Sequence, residues 1–157
     1  MKKIALFAVM LLMTVAAHAQ FESGKVYVEG SLSGFDMSSQ AKKFHLGIGA
    51  RGGYMFMENV MALGELNYNH LEDSNDIFGI GAGARYYISQ NGLYLGAMLK
   101  LKRDAFKETD FMPGLHLGYA FFLNGTVTIE PELYMDFSTK KFERSSYGLA
   151  IGVGLYL

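Results

Sequence analysis

The sequence contains no cysteine and only two prolines among its 157 residues. The absence of cysteine excludes a disulfide framework, thiolate chemistry and the attachment of a lipid to a cysteine. After the first 15 residues there is no long apolar run, and no segment repeats its apolar residues with the period of a helix. The formal net charge of −1 leaves no basic footprint, which argues against nucleic acid as a partner.

The N-terminus has the three parts of a secretory leader. Lys2 and Lys3 form a basic start, residues 4–15 are apolar, and Ala17-His18-Ala19 is a small-x-small cleavage site. The apolar stretch is shorter than the roughly 20 residues of a membrane-spanning helix. We therefore expect residues 1–19 to be removed on export and residues 20–157 to form a single domain.

The rest of the chain alternates large apolar residues with small or polar ones, which is the pattern of strands with two unlike faces. Most of the nineteen glycines lie within these alternating runs rather than in a three-residue repeat, so collagen-like and disordered glycine usage is excluded. The alternation predicts eight strands, at residues 25–34, 43–56, 60–70, 77–88, 93–102, 111–122, 126–137 and 147–157.

The predicted connections alternate in length. Three are tight: residues 57–59, 89–92 and 123–125. Two of these contain Asn-Gly, the strongest short signal for a hairpin. The others, residues 35–42, 71–76, 103–110 and 138–146, are longer and more charged. An even number of strands with this alternation predicts an antiparallel up-and-down meander that closes into a ring.

The apolar face contains more than thirty bulky groups, which an eight-stranded ring has no room to enclose. Small and polar residues are therefore expected inside, and apolar residues toward lipid. Aromatic residues such as Tyr54, Phe78 and Phe111 fall near strand ends, while aliphatic residues such as Ile48 and Leu115 occupy strand centres. Two aromatic belts around an aliphatic band are typical of a protein that spans a bilayer.

In this pattern the chain resembles the small eight-stranded outer-membrane β-barrel family, the OmpA/OmpX-like barrels. The resemblance covers residues 20–157 and implies an all-β transmembrane barrel, monomeric, with both termini in the periplasm. Its implied partners are outer-membrane lipid, lipopolysaccharide and the barrel-assembly machinery. Members commonly end in an aromatic residue, whereas here Leu157 follows Tyr156, a departure in the part that assembly machinery recognises.

The inward positions carry both signs of charge. Opposite charges in a narrow and partly dry interior must pair, because an isolated buried charge is costly. We expect a polar plug in the lumen rather than an open channel; the alternative is a gated ion or proton path. The residues of this predicted network are Glu29, Arg51, Glu65, Arg85, Lys100, His116, Glu130 and Glu132.

Both prolines, Pro113 and Pro131, lie at predicted lipid-facing positions. Proline removes a hydrogen bond from the ladder, so each marks a bulge or a local loosening of the wall. A lateral exit for an apolar ligand is the alternative interpretation.

Basic residues gather near the predicted outer rim, where they could pair with lipopolysaccharide phosphates. They are Lys42, Lys43, Lys102, Arg103, Lys107, Lys140, Lys141 and Arg144. His70, Asp73 and Ser74 form the best candidate set for acyl transfer, although short loops rich in such residues are ordinary turn chemistry. His45 and His116 are too far apart around the ring to share a metal. The sequence thus predicts a structural or membrane-maintenance protein without catalysis, cofactor or metal.

Overall fold

The computed structural model describes residues 21–36, 46–71, 74–88, 91–103, 109–140 and 145–157. The predicted leader, residues 1–19, and the first residues of the second predicted strand lie outside these ranges. Within them, no helix is long and apolar enough to cross a membrane.

The described residues form one antiparallel sheet that closes on itself. Neighbouring strands pair in chain order from β1 to β6, β1 also pairs with β9, and β9 pairs with β8. The pairing of β6 with β8 completes the ring. The strands are β1 Val26–Asp36, β2 Leu46–Met57, β3 Val60–Leu71, β4 Ser74–Tyr87, β5 Leu93–Arg103, β6 Thr109–Tyr119, β7 Phe121–Phe122, β8 Val127–Asp136 and β9 Ser146–Tyr156.

β6 and β7 are two parts of a single wall of the barrel. Both pair with β8 in one register, since Gly118 lies opposite Glu132 and Phe121 lies opposite Ile129. Only Ala120 interrupts the wall. The ring therefore has eight walls, and the predicted eight-stranded antiparallel barrel is confirmed.

The tight turns use the residues that favour them. Asn59, between β2 and β3, has φ 63°, and Gly92, between β4 and β5, has φ 89°. In the third turn, the Asn124 side-chain oxygen accepts hydrogen bonds from the backbone N–H groups of Thr126 and Val127, at 2.8 and 2.7 Å. Asn and Gly tolerate these conformations at the lowest steric cost, so the sequence located the hairpins correctly.

One predicted loop is wrong. Residues 71–76 were expected to form a longer connection, but β3 runs to Leu71 and β4 begins at Ser74. Leu71 is paired with Ser74 after a shift in register near Asn69. Asp, Ser and Asn have low strand propensity, which favoured a loop, yet pairing with a neighbouring strand extends both strands through them.

The two faces of the wall separate as the alternation predicts. Outward side chains on different strands are exposed, for example Ile48 at 58% and Leu115 at 61%, whereas inward Arg85 is 1% exposed. Exposed aromatic side chains lie toward both ends of the wall, with Tyr54 and Tyr86 near the tight turns and Tyr68 and Phe78 near the loops. The apolar surface is therefore the outside of the barrel.

Inside the barrel, large side chains lie over glycines of the neighbouring strand. A Cβ atom added at Gly152 would collide with Glu29, one at Gly118 with Tyr94, and one at Gly79 with Asn67. Outward Gly52, by contrast, has no atom within 4 Å of such a Cβ. Bulky inward side chains thus fill the narrow lumen by occupying the space that glycines on the neighbouring strands leave free.

Both prolines lie in the junction between β6/β7 and β8, which we call the proline seam. Phe137 N donates to Pro113 O at 2.8 Å, and proline has no N–H with which to return that bond. The register places Tyr119 opposite Pro131. Hydrogen-bonded pairs alternate with non-bonded pairs along an antiparallel ladder, and Pro113 with Phe137 is a bonded pair. Tyr119 and Pro131 are therefore also a bonded pair, in which the residue at position 131 would donate to Tyr119 O if it had an N–H. Two backbone donors are therefore missing from the same seam, and the wall breaks beside one of them.

Candidate functional site: the charged interior of the barrel

Arg51 connects three walls of the barrel. It projects inward from β2 and donates from Nε to Glu65 Oε2 at 2.8 Å. Its two terminal nitrogens both donate to the Glu132 carboxylate, at 2.7 and 3.0 Å. Glu65 is on β3 and Glu132 is on β8. This fork-to-fork geometry is the strongest form of ion pair, because two parallel bonds fix the planes of both groups. Arg51 therefore braces the lumen across its width.

Arg85 is the most enclosed basic residue among those described, at 1% exposure. It donates to Glu130 at 2.7 Å and to the hydroxyls of Tyr27 and Tyr87 at 3.1 and 3.2 Å. Its guanidinium carbon lies 3.8 Å from the centre of the Tyr94 ring, which adds a cation–π contact. A charge so far from water is tolerated only because it has this full set of partners.

His116 and Lys100 complete the predicted network. The Nδ1 atom of His116 lies 2.7 Å from Glu132 Oε1. Lys100 Nζ lies 3.3 Å from Glu65 Oε1 and 3.1 Å from Asp136 Oδ2. Glu29 lies 3.4 Å from Arg51, and Tyr27 donates to it at 2.6 Å. All eight residues predicted for the lumen thus lie in one connected cluster.

Two members of this cluster were missed from the sequence. Asp136 was not selected, although it shares the parity of Glu130 and Glu132 on β8. Lys102 was placed at the outer rim, but its side chain points inward, 3.6 Å from Asp136 Oδ2 and 3.2 Å from Ser146 Oγ. It is two residues from Lys100 on β5, and strand alternation was a sufficient signal to put both inside.

An aromatic floor closes the cluster at the tight-turn end. Phe21 is fully buried and stacks on Tyr87 with 3.9 Å between ring centres. Its carbonyl accepts a hydrogen bond from Asn59 N, in the turn between β2 and β3, at 3.0 Å. The floor was not predicted as a unit. It consists of Phe21, Tyr27, Tyr87, Tyr94 and Tyr156 with Met55, Met61, Leu63, Met98 and Ala120.

The loop-side half of the lumen is packed less completely. A polar cavity of about 50 Å³ lies among Ser31, Ser33, Asn67, Lys102, Asp136 and their neighbours. That volume holds a few water molecules. Buried polar atoms without a partner are also found in or near this half: Asn67 Oδ1, Asp110 Oδ1, His116 Nε2 and Asp136 Oδ1.

The other predicted sites are only partly within the described residues. Arg103 and Lys140 are exposed, while Lys42, Lys43, Lys107, Lys141 and Arg144 lie outside. The side chains of His70 and Ser74, and all of Asp73 and His45, also lie outside the described set. Among the side chains that are described, no group of His, Cys, Asp and Glu has the geometry to hold a metal ion.

A family model described as "Outer membrane protein beta-barrel domain" matches residues 5–157. The chain belongs to this family. The family places the barrel in the outer membrane, with its apolar face toward lipid. No curated protein matches the sequence significantly.

Solved structures of outer-membrane barrels share the fold of this family member. Neisserial surface protein A is 19% identical with a TM-score of 0.69, covering 85% of this chain and 97% of its own. The N-terminal barrel of Pseudomonas aeruginosa OprF is 13% identical with a TM-score of 0.65, covering 86% and 98%. Yersinia pestis Ail in a nanodisc is 11% identical with a TM-score of 0.57, covering 86% and 100%. At these identities the likeness concerns the fold.

Proposed function

We propose that this protein is a structural component of the outer membrane whose lumen is plugged by its own side chains. The observation that carries the proposal is the set of ion pairs that cross the bore. Arg51 on β2 and Arg85 on β4 both reach Glu132 on β8, at 2.7 and 3.4 Å. Such bonds fill the space that an ion would need, and the aromatic floor lies beneath them.

Planar-bilayer recording of the refolded protein tests the plug. The wild type is expected to show no steady conductance. Arg51→Ala removes a brace across the bore and is expected to give brief openings, whereas the outward control Leu149→Ala is expected to behave as the wild type. Large, steady open levels in the wild type would refute the plugged lumen.

The proposal includes a cleaved leader, removed after Ala19, and both termini in the periplasm. The tight turns and the aromatic floor would then face the periplasm, and the longer loops would face outward. Because the chain has no cysteine, single substitutions report topology without background. In intact cells an impermeant thiol reagent is expected to label Lys140→Cys and to spare Asn124→Cys; the reverse pattern would invert the orientation.

We further propose that basic residues of the outer rim contact lipopolysaccharide phosphates. Arg103 supports this, because it lies at the loop end of β5 on the outward face and is exposed. Arg103→Ala should weaken binding of the refolded protein to lipopolysaccharide, with Lys25→Ala, at the opposite end, as control. We infer no catalysis: Ser74→Ala should leave the lipid A pattern of cells unchanged.

A lateral passage for apolar ligands is the second candidate, and the proline seam favours it. Pro113 and Phe137, both at the seam, border an apolar depression on the outer surface whose floor is formed by Ala82, Ala84 and Ala97. Leu117 and Leu133 lie opposite each other across the seam, so a disulfide between cysteines at both positions would lock it. If the seam is a passage, the lock will slow uptake of small apolar solutes; if the barrel is only structural, uptake will not change.

A further inference from the structure

Two buried polar atoms that have no partner of their own face each other inside the barrel. His116 Nε2 and Asp136 Oδ1 are 3.6 Å apart, and neither makes a hydrogen bond. Both residues are at least 96% buried. The other ring nitrogen of His116 lies 2.7 Å from Glu132 Oε1, so two carboxylates flank one imidazole. A neutral imidazole has a single N–H and can serve only one of them, whereas an imidazolium donates to both.

This arrangement spans the proline seam. His116 is on β6 opposite Tyr134 on β8, and the two carboxylates are the inward residues on either side of Tyr134. The backbone of this seam lacks the donors that Pro113 and Pro131 cannot supply. A carbonyl left without a donor is especially costly next to lipid. Bonds from His116 to both carboxylates would therefore tie the two strands together where their ladder is weakest.

Charged and titratable groups from five strands surround His116. On β8 the histidine faces Glu132 and Asp136, and on its own strand β6 Asp110 lies nearer the loops. The neighbouring β5 supplies Tyr94, Lys100 and Lys102. Arg51 on β2 and Arg85 on β4 approach Glu132 from the other side. Among the described side chains, the lumen holds four Lys and Arg residues against six carboxylates.

We propose that His116 and Asp136 form a binding site for one proton, and that this proton closes the proline seam from inside the barrel. When the proton is bound, His116 donates to Glu132 and to Asp136 and holds β6 against β8. When the proton leaves as pH rises, one of the two bonds is lost and the seam loosens. Imidazole is the side chain suited to such a switch, because its charge ordinarily changes between pH 5 and 8. The site is independent of whether the lumen conducts.

Amide hydrogen exchange of the wild-type barrel in nanodiscs, from pH 5.5 to 8.5, tests the proposal. After correction for the intrinsic pH dependence of exchange, protection of amides in Gly114–Gly118 and their β8 partners should fall on the order of tenfold as pH rises. Amides between β2 and β3 serve as the internal control and should not follow this change. In parallel, ¹⁵N spectra of the imidazole should show both nitrogens of His116 protonated until the pH at which protection falls.

Two variants separate the proton from the bulk of the side chain. His116→Gln retains a nitrogen donor group and an acceptor but does not titrate, and it should abolish the pH dependence at the seam. Tyr134→Phe, directly opposite in the register, should preserve it. Wild-type seam protection that does not change with pH, or a pH dependence that survives in His116→Gln, would overturn the proposal. If His116→Gln does not fold, the wild-type spectra decide: an imidazole that is neutral throughout the range refutes the site.

Discussion

The two halves of the lumen are built from similar residues but differ in how tightly these residues are packed. In the tight-turn half, Arg85 is enclosed by Glu130, two tyrosine hydroxyls and the Tyr94 ring, and Phe21 closes the floor. In the loop-side half, Lys102 is 19% exposed and a polar cavity remains. One interior thus contains a sealed end and a more open chamber. We expect an ion pair to contribute more to the free energy of unfolding in the sealed end than in the open chamber.

Loss of Arg85 should have the largest effect, because it leaves the buried carboxylate of Glu130 without the cation that lies 2.7 Å away. Arg85→Met is expected to lower the free energy of unfolding by about 3–5 kcal/mol. Urea unfolding in micelles, followed by the gel shift between folded and unfolded forms, measures it. The matched control in the other half is Lys102→Met, and equal losses for the two variants would contradict the division of the lumen.

Removal of the floor ring should come next. Phe21 is fully buried against Tyr87, Phe122 and Tyr156. Phe21→Ala is expected to cost about 3 kcal/mol, as for other buried phenylalanines. The same urea titration applies, and amide exchange of the β2–β3 turn should accelerate because Asn59 N bonds to the Phe21 carbonyl. Phe21→Leu, which keeps most of the apolar volume, should lose clearly less stability. Unchanged stability in the alanine variant would show that packing of Phe21 in the floor does not stabilise the barrel.

Filling a glycine recess should have an intermediate effect. A Cβ atom at Gly118 would run into the Tyr94 ring, which in turn lies over Arg85. Gly118→Ala is expected to destabilise the barrel by about 1–3 kcal/mol through this overpacking. Gly52→Ala, on the outward face with no atom within 4 Å, is the control and should be neutral or slightly stabilising. Equal stability of the two variants would argue against the tight interior.

The smallest effect is expected for Lys102→Met. Lys102 is partly exposed and 3.6 Å from Asp136, and Lys100 also serves that carboxylate. A loss of at most about 1 kcal/mol is expected, as for other partly solvated ion pairs. Raising the salt concentration should reduce the difference further, which the urea midpoint at low and high salt will show. A loss as large as that of Arg85→Met would mean that the loop-side half is also dry.

Much of this interior could be predicted from strand parity. Alternation assigned Glu29, Arg51 and Glu132 to the same face without knowledge of any contact, since side chains two apart on a strand must point the same way. The Asn-Gly turns were predictable for an equally local reason. Lys102 and Asp136 show that the same rule, applied more strictly, would have completed the list.

Features that depend on register could not be predicted in this way. Parity does not reveal that Tyr94 lies over Gly118, or that His116 Nε2 meets Asp136, because both depend on which residues of two strands are aligned. The two prolines were recognised singly. Only the observed strand pairing shows that the two missing N–H donors belong to the same junction, the proline seam. Phe21 precedes the first strand, where alternation gives no information.

The fit of each large lumen residue over a glycine also constrains how this sequence can change over time. Glu29 occupies the recess at Gly152, so a larger residue at position 152 is acceptable only if position 29 shrinks in the same lineage. The two positions are 123 residues apart in the chain, yet they should vary together. In an alignment of close relatives, pairs such as positions 29 and 152 or 94 and 118 should therefore covary. Such covarying pairs would identify which strands of this barrel are neighbours.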